Sequence, residues 1–295
     1  LSKILVLPGM GDIYWVFIKL QSLLKKNGIK HADIYTWEIQ EHKFNRSKPY
    51  IERVPFVRYG GSKVISTQNN SCFNDIYFGN VWKKENFQEF DYVLSMNGIL
   101  RNGYDLDSHK LDEYESNWYF SLTQSDEEDA ARIEYKKLGD YIVAYFADDG
   151  MYSSTWLKHL PINKIHYILS RLYRDTGCKI ILTGGKWDKS FSTRLANLCQ
   201  DIDIIDMTGQ TSMNQLFALI QESKGMIGWA GGNTIKSVYF KVPTVIIWSQ
   251  YFKNEGFYYN SVPPDSINKW HEIAVVEKDS PDEILKRMKR AMEWQ

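Results

Sequence analysis

The sequence has no stretch approaching the roughly 20 consecutive apolar residues that a membrane-spanning helix requires. Its opening, Leu1-Ser2-Lys3, runs directly into an apolar strand pattern and lacks the charged, apolar and small-residue regions of a secretory leader. Cysteine is scarce. Cys72, Cys178 and Cys199 are the three in the chain, with neither a disulfide framework nor zinc spacing, which is what a reducing compartment leads one to expect. Neither sign of charge is in excess, since Lys+Arg and Asp+Glu both number 36 and the net charge is zero. Affinity for phosphate backbones scales with the cations presented, so this balance weighs against polyanion binding, though a local basic patch stays open. The six histidines, His31, His42, His109, His159, His166 and His271, show no paired ligand spacing. No Gly-x-Ser-x-Gly elbow occurs. Gly9-Met-Gly-Asp-Ile-Tyr14 fails the dinucleotide fingerprint because Tyr14 stands at the third glycine position, and Gly184-Gly-Lys186 lacks P-loop spacing. These absences exclude an ordinary dehydrogenase and an ordinary P-loop enzyme.

What is present describes a globular chain. At 295 residues it suffices for one large domain or two of ordinary size, and 43% hydrophobic with 24% charged residues carries no bias toward disorder. Lys3 to Leu7 is an apolar run ending in the turn Pro8-Gly-Met-Gly11. Val16, Leu20, Leu23 and Leu24 give Asp12 to Lys26 a helical face, stopped by Asn27-Gly28, and Ala32 to Trp37 reads as a second strand. This βαβ opening favours a parallel sheet. From about Glu41 to Lys84 the chain is polar and irregular, with Tyr59-Gly-Gly61 and Gln68-Asn-Asn70 as turn signals. Tyr92 to Ser95 is a further strand, followed by the turn-rich Asn97-Gly98 and Asn102-Gly103. Acidic Asp126-Glu-Glu-Asp129 opens a helix or linker near a lobe boundary.

The second half is more regular. Strands are expected at Tyr141 to Ala147, Lys179 to Thr183, Ile202 to Ile205, Met226-Ile227 and Thr244 to Trp248. Helices between them are marked by Ile165, Ile168, Leu169 and Leu172 (ended by Gly177), by Phe191 to Leu198, by Met213, Leu216, Phe217 and Ile220, and by a start near Asn233. Strand and helix alternate with short connections, which predicts a doubly wound sheet. The expected architecture is α/β, two Rossmann-like lobes facing a cleft. Residues 1–135 would form the N-terminal lobe and 136–280 the C-terminal lobe.

Ligands of doubly wound sheets sit beyond the carboxyl ends of the strands. Three such ends are rich in glycine or hydroxyl residues: Thr183-Gly-Gly185, Met207-Thr-Gly-Gln-Thr-Ser212 and Ala230-Gly-Gly-Asn-Thr234. Glycine lets a backbone approach a ligand, and a helix beginning at Asn233 would turn free N–H groups and a positive dipole end toward a phosphate. Any one of these loops is explained as well by an ordinary turn; three in one lobe favour nucleotide binding.

On these blocks the chain resembles the heptosyltransferase-like glycosyltransferases (ADP-heptose:lipopolysaccharide type, GT-B fold). The resemblance rests on Gly11-Asp12, Lys158-His-Leu-Pro161, Ile181-Leu-Thr-Gly-Gly185, Asp206-Met-Thr-Gly-Gln-Thr-Ser-Met213 and Gly228 to Pro243 before Thr244-Val-Ile-Ile247. It runs in order from about residue 140 to 250, and in the N-terminal half touches only Gly11-Asp12. It implies a nucleotide sugar as co-substrate with no other cofactor and no metal, and transfer with inversion to a hydroxyl. It implies Asp12 as the base for that hydroxyl, where a helix N-cap is the competing role. Lys158 would face the donor phosphates, as a point charge suits, against a plain solvated lysine. Thr211, Ser212 and Met213 would line the nucleobase pocket, although Met213 also fits the apolar face of its helix, and Thr208 and Gly209 would bind the donor beside them. Gly11, Gly184, Gly185, Gly231, Gly232, Asn233 and Thr234 would complete the donor site.

The last block departs from the family. Its aspartate falls on Ala230 and its histidine on Ile235, leaving Asn233 and Lys236 as the nearest polar replacements. That keeps the fold inference and puts ADP-heptose as the donor in doubt. Asp105-Leu-Asp107 and Asp201-Ile-Asp203 have the spacing of a metal-binding pair but read better as a turn motif and a strand edge. Aromatic residues make up 15% of the chain, and Tyr104, Tyr114, Trp118 and Tyr119 would shape an acceptor site for a glycan or lipid-linked glycan.

Pro281 to Gln295 forms an amphipathic helix with Ile284, Leu285, Met288 and Met292 on one side. It is expected to pack back on the N-terminal lobe, while Lys286, Arg287, Lys289 and Arg290 would offer a peripheral contact to anionic lipid at the inner face of a membrane. The expected location is cytoplasmic. Two other readings compete. One is transfer to a modified base in DNA, for which Lys43, Arg46, Lys48, Arg53, Arg58 and Lys63 are the dense cations. The other is a nucleotide-sugar-binding protein without catalysis, suggested by Ala230 and Ile235.

Overall fold

Short apolar strands alternating with one-sided helices build two sheets. The computed structural model describes residues 2–6, 10–38, 47–64, 88–95, 98–101, 105–107, 110–146, 158–250 and 262–294. They divide into two compact units, Leu1–Ser125 and Asp126–Gln295.

The first unit contains β1 (Ser2–Val6), α1 (Met10–Lys26), β2 (Ala32–Glu38), α2 (Lys48–Ile51), β3 (Arg58–Val64), β4 (Tyr92–Ser95), β5 (Gly98–Arg101) and β6 (Asp105–Asp107). Its sheet order is β3-β2-β1-β4-β5-β6. The first four strands are parallel; β5 and β6 join antiparallel. Helix α1 buries Ile13, Val16, Phe17, Leu20 and Leu23 at helical spacing. It stops where Gly28 takes φ +65 and the Ile29 N–H donates back to the Leu24 carbonyl at 2.9 Å. A segment after residue 113 straps α1: the Tyr14 hydroxyl donates to the Trp118 carbonyl at 2.5 Å, and the rings of Tyr14 and Phe120 stack 5.5 Å apart.

Two expectations for this unit are corrected. Tyr59-Gly60-Gly61 is no turn but the body of β3. The register slips between Ile34 and Tyr35, and a Cβ on Gly60 would stand 2.6 Å from the Tyr35 ring. The glycines mark a bulge where a strand passes over an aromatic ring, a use of glycine that reads like a turn in sequence. Asp105-Leu-Asp107, expected in a loop, is the edge strand β6. The turn signals at 68–70, Asn97 and 102–103 lie outside the described residues, as does Tyr104.

The second unit runs α3 (Asp126–Lys136), β7 (Tyr141–Tyr145), α4 (Ile162–Thr176), β8 (Lys179–Thr183), α5 (Lys189–Leu198), β9 (Ile204–Asp206), α6 (Met213–Gln221), β10 (Gly225–Trp229), α7 (Gly232–Tyr239), β11 (Thr244–Trp248), β12 (His271–Val275) and α8 (Pro281–Glu293). All six strands are parallel in the order β12-β11-β10-β7-β8-β9. Alternate residues feed two cores. Val143, Ile181 and Met226 pack with Ala131, Tyr135, Leu216 and Leu219 on one face. Ile142, Ile180 and Ile227 pack with Ile165, Leu169, Ile284 and Met288 on the other. Strands covered on both faces carry apolar residues at nearly every position, which is why they were legible.

Helix α3 belongs to this second unit because Ala131 and Tyr135 enter its core, so the division falls at 125/126, not at 135/136 as expected. The last helix, α8, also packs into this unit's core. Ile284 and Met288 are fully buried in the second core, and Gly225 leaves the room: a Cβ there would lie 2.3 Å from Met288 Cε. Burying each such side chain contributes about 1.5–3 kcal/mol. Strand β12 had no expectation attached. Its Glu272 is buried yet held by Arg290 at 3.0 Å, a pairing that sequence alone does not reveal.

Candidate functional site

The order of the second sheet reverses between β7 and β10, and a doubly wound sheet opens its crevice at such a switch point. Backbones approach closely there. Gly228 is in register with Tyr145, and a Cβ on it would stand 2.1 Å from the Tyr145 carbonyl oxygen. At the carboxyl end of β10, a Cβ on Gly231 would be 3.1 Å from the Tyr145 ring. Helix α7 starts immediately afterwards, at Gly232. Thr234 is fully buried; its hydroxyl donates to the Trp229 carbonyl at 2.8 Å and accepts from the Gly231 N–H at 3.1 Å. It therefore shapes the loop. Asn233 is half-buried on the first turn.

The next strand ends form a second rigid feature. After β8, the Gly185 N–H donates to the buried Asp188 carboxylate at 2.7 Å, closing the one-turn 3-10 segment Lys186–Asp188. After β9, the Gly209 N–H donates to the Gly184 carbonyl at 3.0 Å. Gly209 has φ +72, and a Cβ there would meet Lys186 Cα at 3.0 Å, so the two loops interlock. Asp206 anchors the second loop, accepting from Lys189 at 2.8 Å, Ser192 at 3.1 Å and the Thr208 N–H at 2.9 Å. Burial pushes its carboxyl upward, but these donors, Lys189 foremost, leave it below the ordinary carboxylate range. Gly184, Gly185, Thr208 and Gly209 are thus brought together.

Two of the helices that begin at the carboxyl ends, α6 and α7, differ. The N-terminus of α6 is already occupied. Ser212 accepts from the Gln215 N–H at 3.2 Å, Gln215 accepts from the Ser212 N–H at 2.8 Å, and Glu127 of α3 accepts from the Ser212 hydroxyl at 2.6 Å and from Asn214 at 3.0 Å. A carboxylate of the chain itself sits where an external anion would. Thr211 and Met213 flank that cap half-buried, and Met213 packs against the core. The N-terminus of α7 is built of glycine and, among the described residues, has no side-chain cap other than Thr234. Lys236 lies inward: it is 5% exposed, with its ammonium 5.2 Å from the Phe217 ring centroid and 5.1 Å from that of Phe240.

The remaining candidates are placed as follows. Gly11 and Asp12 are the second and third residues of α1, at the carboxyl end of β1; the Asp12 side chain lies outside what the structure describes. Lys158 is exposed just before Leu160-Pro161. Tyr114 takes the Lys26 ammonium over its ring at 5.1 Å, so its described contacts are with α1. Of the cations considered for DNA, Arg58 pairs with Asp33 at 2.7 Å, Lys48 with Glu52 at 3.7 Å, Lys63 with Glu89, and Arg53 donates to the Thr123 carbonyl at 2.9 Å. Lys43 and Arg46 lie outside the described residues. On α8, Lys286 pairs with Glu283, Arg287 with Asp279, Arg290 with Glu272 and Lys289 with Glu293. Asp201 is held by His166 and Arg174, and Asp203 by Lys179. No group of three or more metal-ligating side chains occurs among the described residues, and no described helix is long and apolar enough to cross a membrane.

Tyr145, Asp188 and Trp187 were not singled out in the sequence. Asp188 had a signal, an acid three residues after a loop glycine. Tyr145 and Trp187 had none, since their importance comes from neighbours in space.

No protein-family model and no curated protein sequence matches this chain. Solved structures do. A family 9 glycosyl transferase from Veillonella parvula DSM 2008 superposes with TM-score 0.66 at 13% identity, covering 100% of this chain and 98% of that one. The ADP-heptose lipopolysaccharide heptosyltransferase II of E. coli gives 0.60 at 13% identity, covering 99% and 98%. The UDP-GlcNAc 2-epimerase of Methanocaldococcus jannaschii gives 0.50 at 10% identity, covering 98% and 92%. Over essentially its whole length the chain has the fold of the heptosyltransferases, with the two Rossmann-like units of GT-B proteins.

Proposed function

We propose that the protein is a glycosyltransferase that moves a sugar from a nucleoside-diphosphate sugar to a hydroxyl of a glycan or lipid-linked glycan. The observation that carries this reading is the glycine-built start of α7 at the switch point of the second sheet, in a fold shared with a heptosyltransferase named for ADP-heptose. Backbone N–H groups at Gly232 and Asn233, together with the helix dipole, would hold the diphosphate and stabilise it as it leaves. Lys158 adds a cation. Asp12 takes the proton of the attacking hydroxyl, with inversion at the anomeric carbon and without a metal.

The departure of the last block from the heptosyltransferase family weighs against ADP-heptose as the donor. Ala230 and Ile235, which stand where that family carries an aspartate and a histidine, pack against the apolar cluster of Val238, Ile246, Val262, Ile273 and Val275. Those two positions also favour a second reading, a nucleotide-sugar-binding protein that performs no transfer. The two readings share the donor site and part at turnover.

The test is thermal shift of the full chain against a panel of nucleoside diphosphates and nucleotide sugars. A ligand at one hundred times its Kd adds about 2.7 kcal/mol to the folded state, well within reach of a melting curve. The expected result is a rise with one nucleotide class, reduced in Lys158→Ala. A flat response across the panel would contradict the donor site, and binding without turnover on any acceptor would favour the second reading.

A further inference from the structure

Among the described side chains at the carboxyl ends of the second sheet, Trp187 is the large aromatic left in solvent, at 42% exposure. It is presented by a turn that holds it firmly. Asp188, one residue on, is buried and ties down the Gly185 N–H at 2.7 Å. The indole lies over Gly185 so closely that a Cβ there would meet Trp187 Cζ2 at 2.2 Å, so glycine at 185 is a condition of the ring's position. The same turn is locked from the next strand end by Gly209 against Lys186. A side chain that merely wandered on the surface would need no such support.

We propose that Trp187 is the platform on which the nucleobase of the bound nucleotide stacks. The inference rests on the donor site proposed above and names its far end. Tyr145 links the two: it is in register with Gly228 on β10 and with Thr183 on β8, and its ring backs Gly231. Strand ends are spaced by about 4.8 Å, so the end of β8 lies two spacings, about 10 Å, from that of β10. That is the order of the reach of a nucleoside from its phosphate to the outer edge of its base. A diphosphate at the start of α7 therefore brings its base toward the turn that carries Trp187. Stacking on an indole face is tolerant of base identity. Lys186, exposed on the same turn, keeps the approach cationic.

The experiment is calorimetric binding of ADP, UDP and inorganic pyrophosphate to the full chain and to Trp187→Ala and Trp187→Phe. Loss of one base–aromatic stack weakens binding by roughly 5- to 150-fold. The expected outcome is a loss of that order in Trp187→Ala for whichever nucleotide the wild type binds, with pyrophosphate affinity unchanged and Trp187→Phe retaining most of the affinity. Nucleotide affinity equal to wild type in Trp187→Ala would overturn the stacking role alone. Equal losses for nucleotide and pyrophosphate would also overturn it, pointing to damage of the turn. A wild-type protein that binds neither ADP nor UDP, nor any other nucleoside diphosphate of the panel above, would overturn the donor site itself and this inference with it.

Discussion

The two sheets share one strand order and differ in how it is completed. In each, the first three strands run outward from the middle and the fourth lies on the other side of the first. The second unit continues with two more parallel strands, so every strand delivers its carboxyl end, and most deliver a helix start, to the same edge. The first unit continues with an antiparallel hairpin, β5 and β6, which sends alternate ends the other way. Phosphate recognition by backbone N–H groups needs several converging strand ends and helix N-termini. Only the second completion supplies them in number. On the function proposed above, this difference favours the second unit as the holder of the nucleotide, with the first contributing chemistry through β1 and α1.

That division of labour can be broken most sharply by Asp12→Asn. General-base removal costs about 10²–10⁴-fold in rate. The expected outcome is a drop of that size in kcat with unchanged nucleotide affinity, measured by steady-state kinetics beside calorimetry. A parallel loss of nucleotide binding would erase the separation between the units.

The next largest effect contrasts a glycine from each sheet. Gly228→Ala puts a Cβ 2.1 Å from a backbone oxygen that cannot move without displacing β7, and should destabilise the second unit by about 3 kcal/mol. Gly60→Ala meets the far end of the Tyr35 ring at 2.6 Å, which can swing, and should cost about 1 kcal/mol. Denaturant melts of the two variants would rank them. Equal costs would mean that the parallel sheet is no more tightly constrained than the bulged one.

A smaller effect separates the units by pH. Burial pushes the His271 imidazole down to about 3 from an ordinary value of 6.5. Between those values the unfolded chain binds more protons, so stability falls as pH is lowered, by up to about 1.4 kcal/mol per pH unit. Acid should loosen the second unit first, and His271→Gln should flatten the slope between pH 6 and 4 in urea melts. An unchanged slope would place the acid-sensitive group elsewhere.

How far the sequence revealed this follows the same contrast. The strands of the second unit, buried on both faces, announce themselves as continuous apolar runs such as Thr244 to Trp248, and their order is what alternating βα units require. The first unit shows β4 but hides β3 and β6, because Tyr59-Gly60-Gly61 puts turn residues on a bulge and Asp105-Leu-Asp107 places acids on an edge. The loops of the candidate site were legible as glycine-rich strand ends. What each does was not: nothing local shows that Glu127, eighty-five residues before Ser212, fills one helix start, or that the Lys236 ammonium lies against a pair of phenylalanine rings. Long-range partners of this kind are set by packing, which a single sequence does not print.

The most direct measurement is hydrogen exchange of the full chain with and without saturating ADP or UDP, read peptide by peptide. The account predicts protection in peptides spanning 183–188 and 230–236, with the edge strands β5 and β6 of the first unit unchanged. Protection confined to the first unit, or none anywhere in the chain, would contradict it.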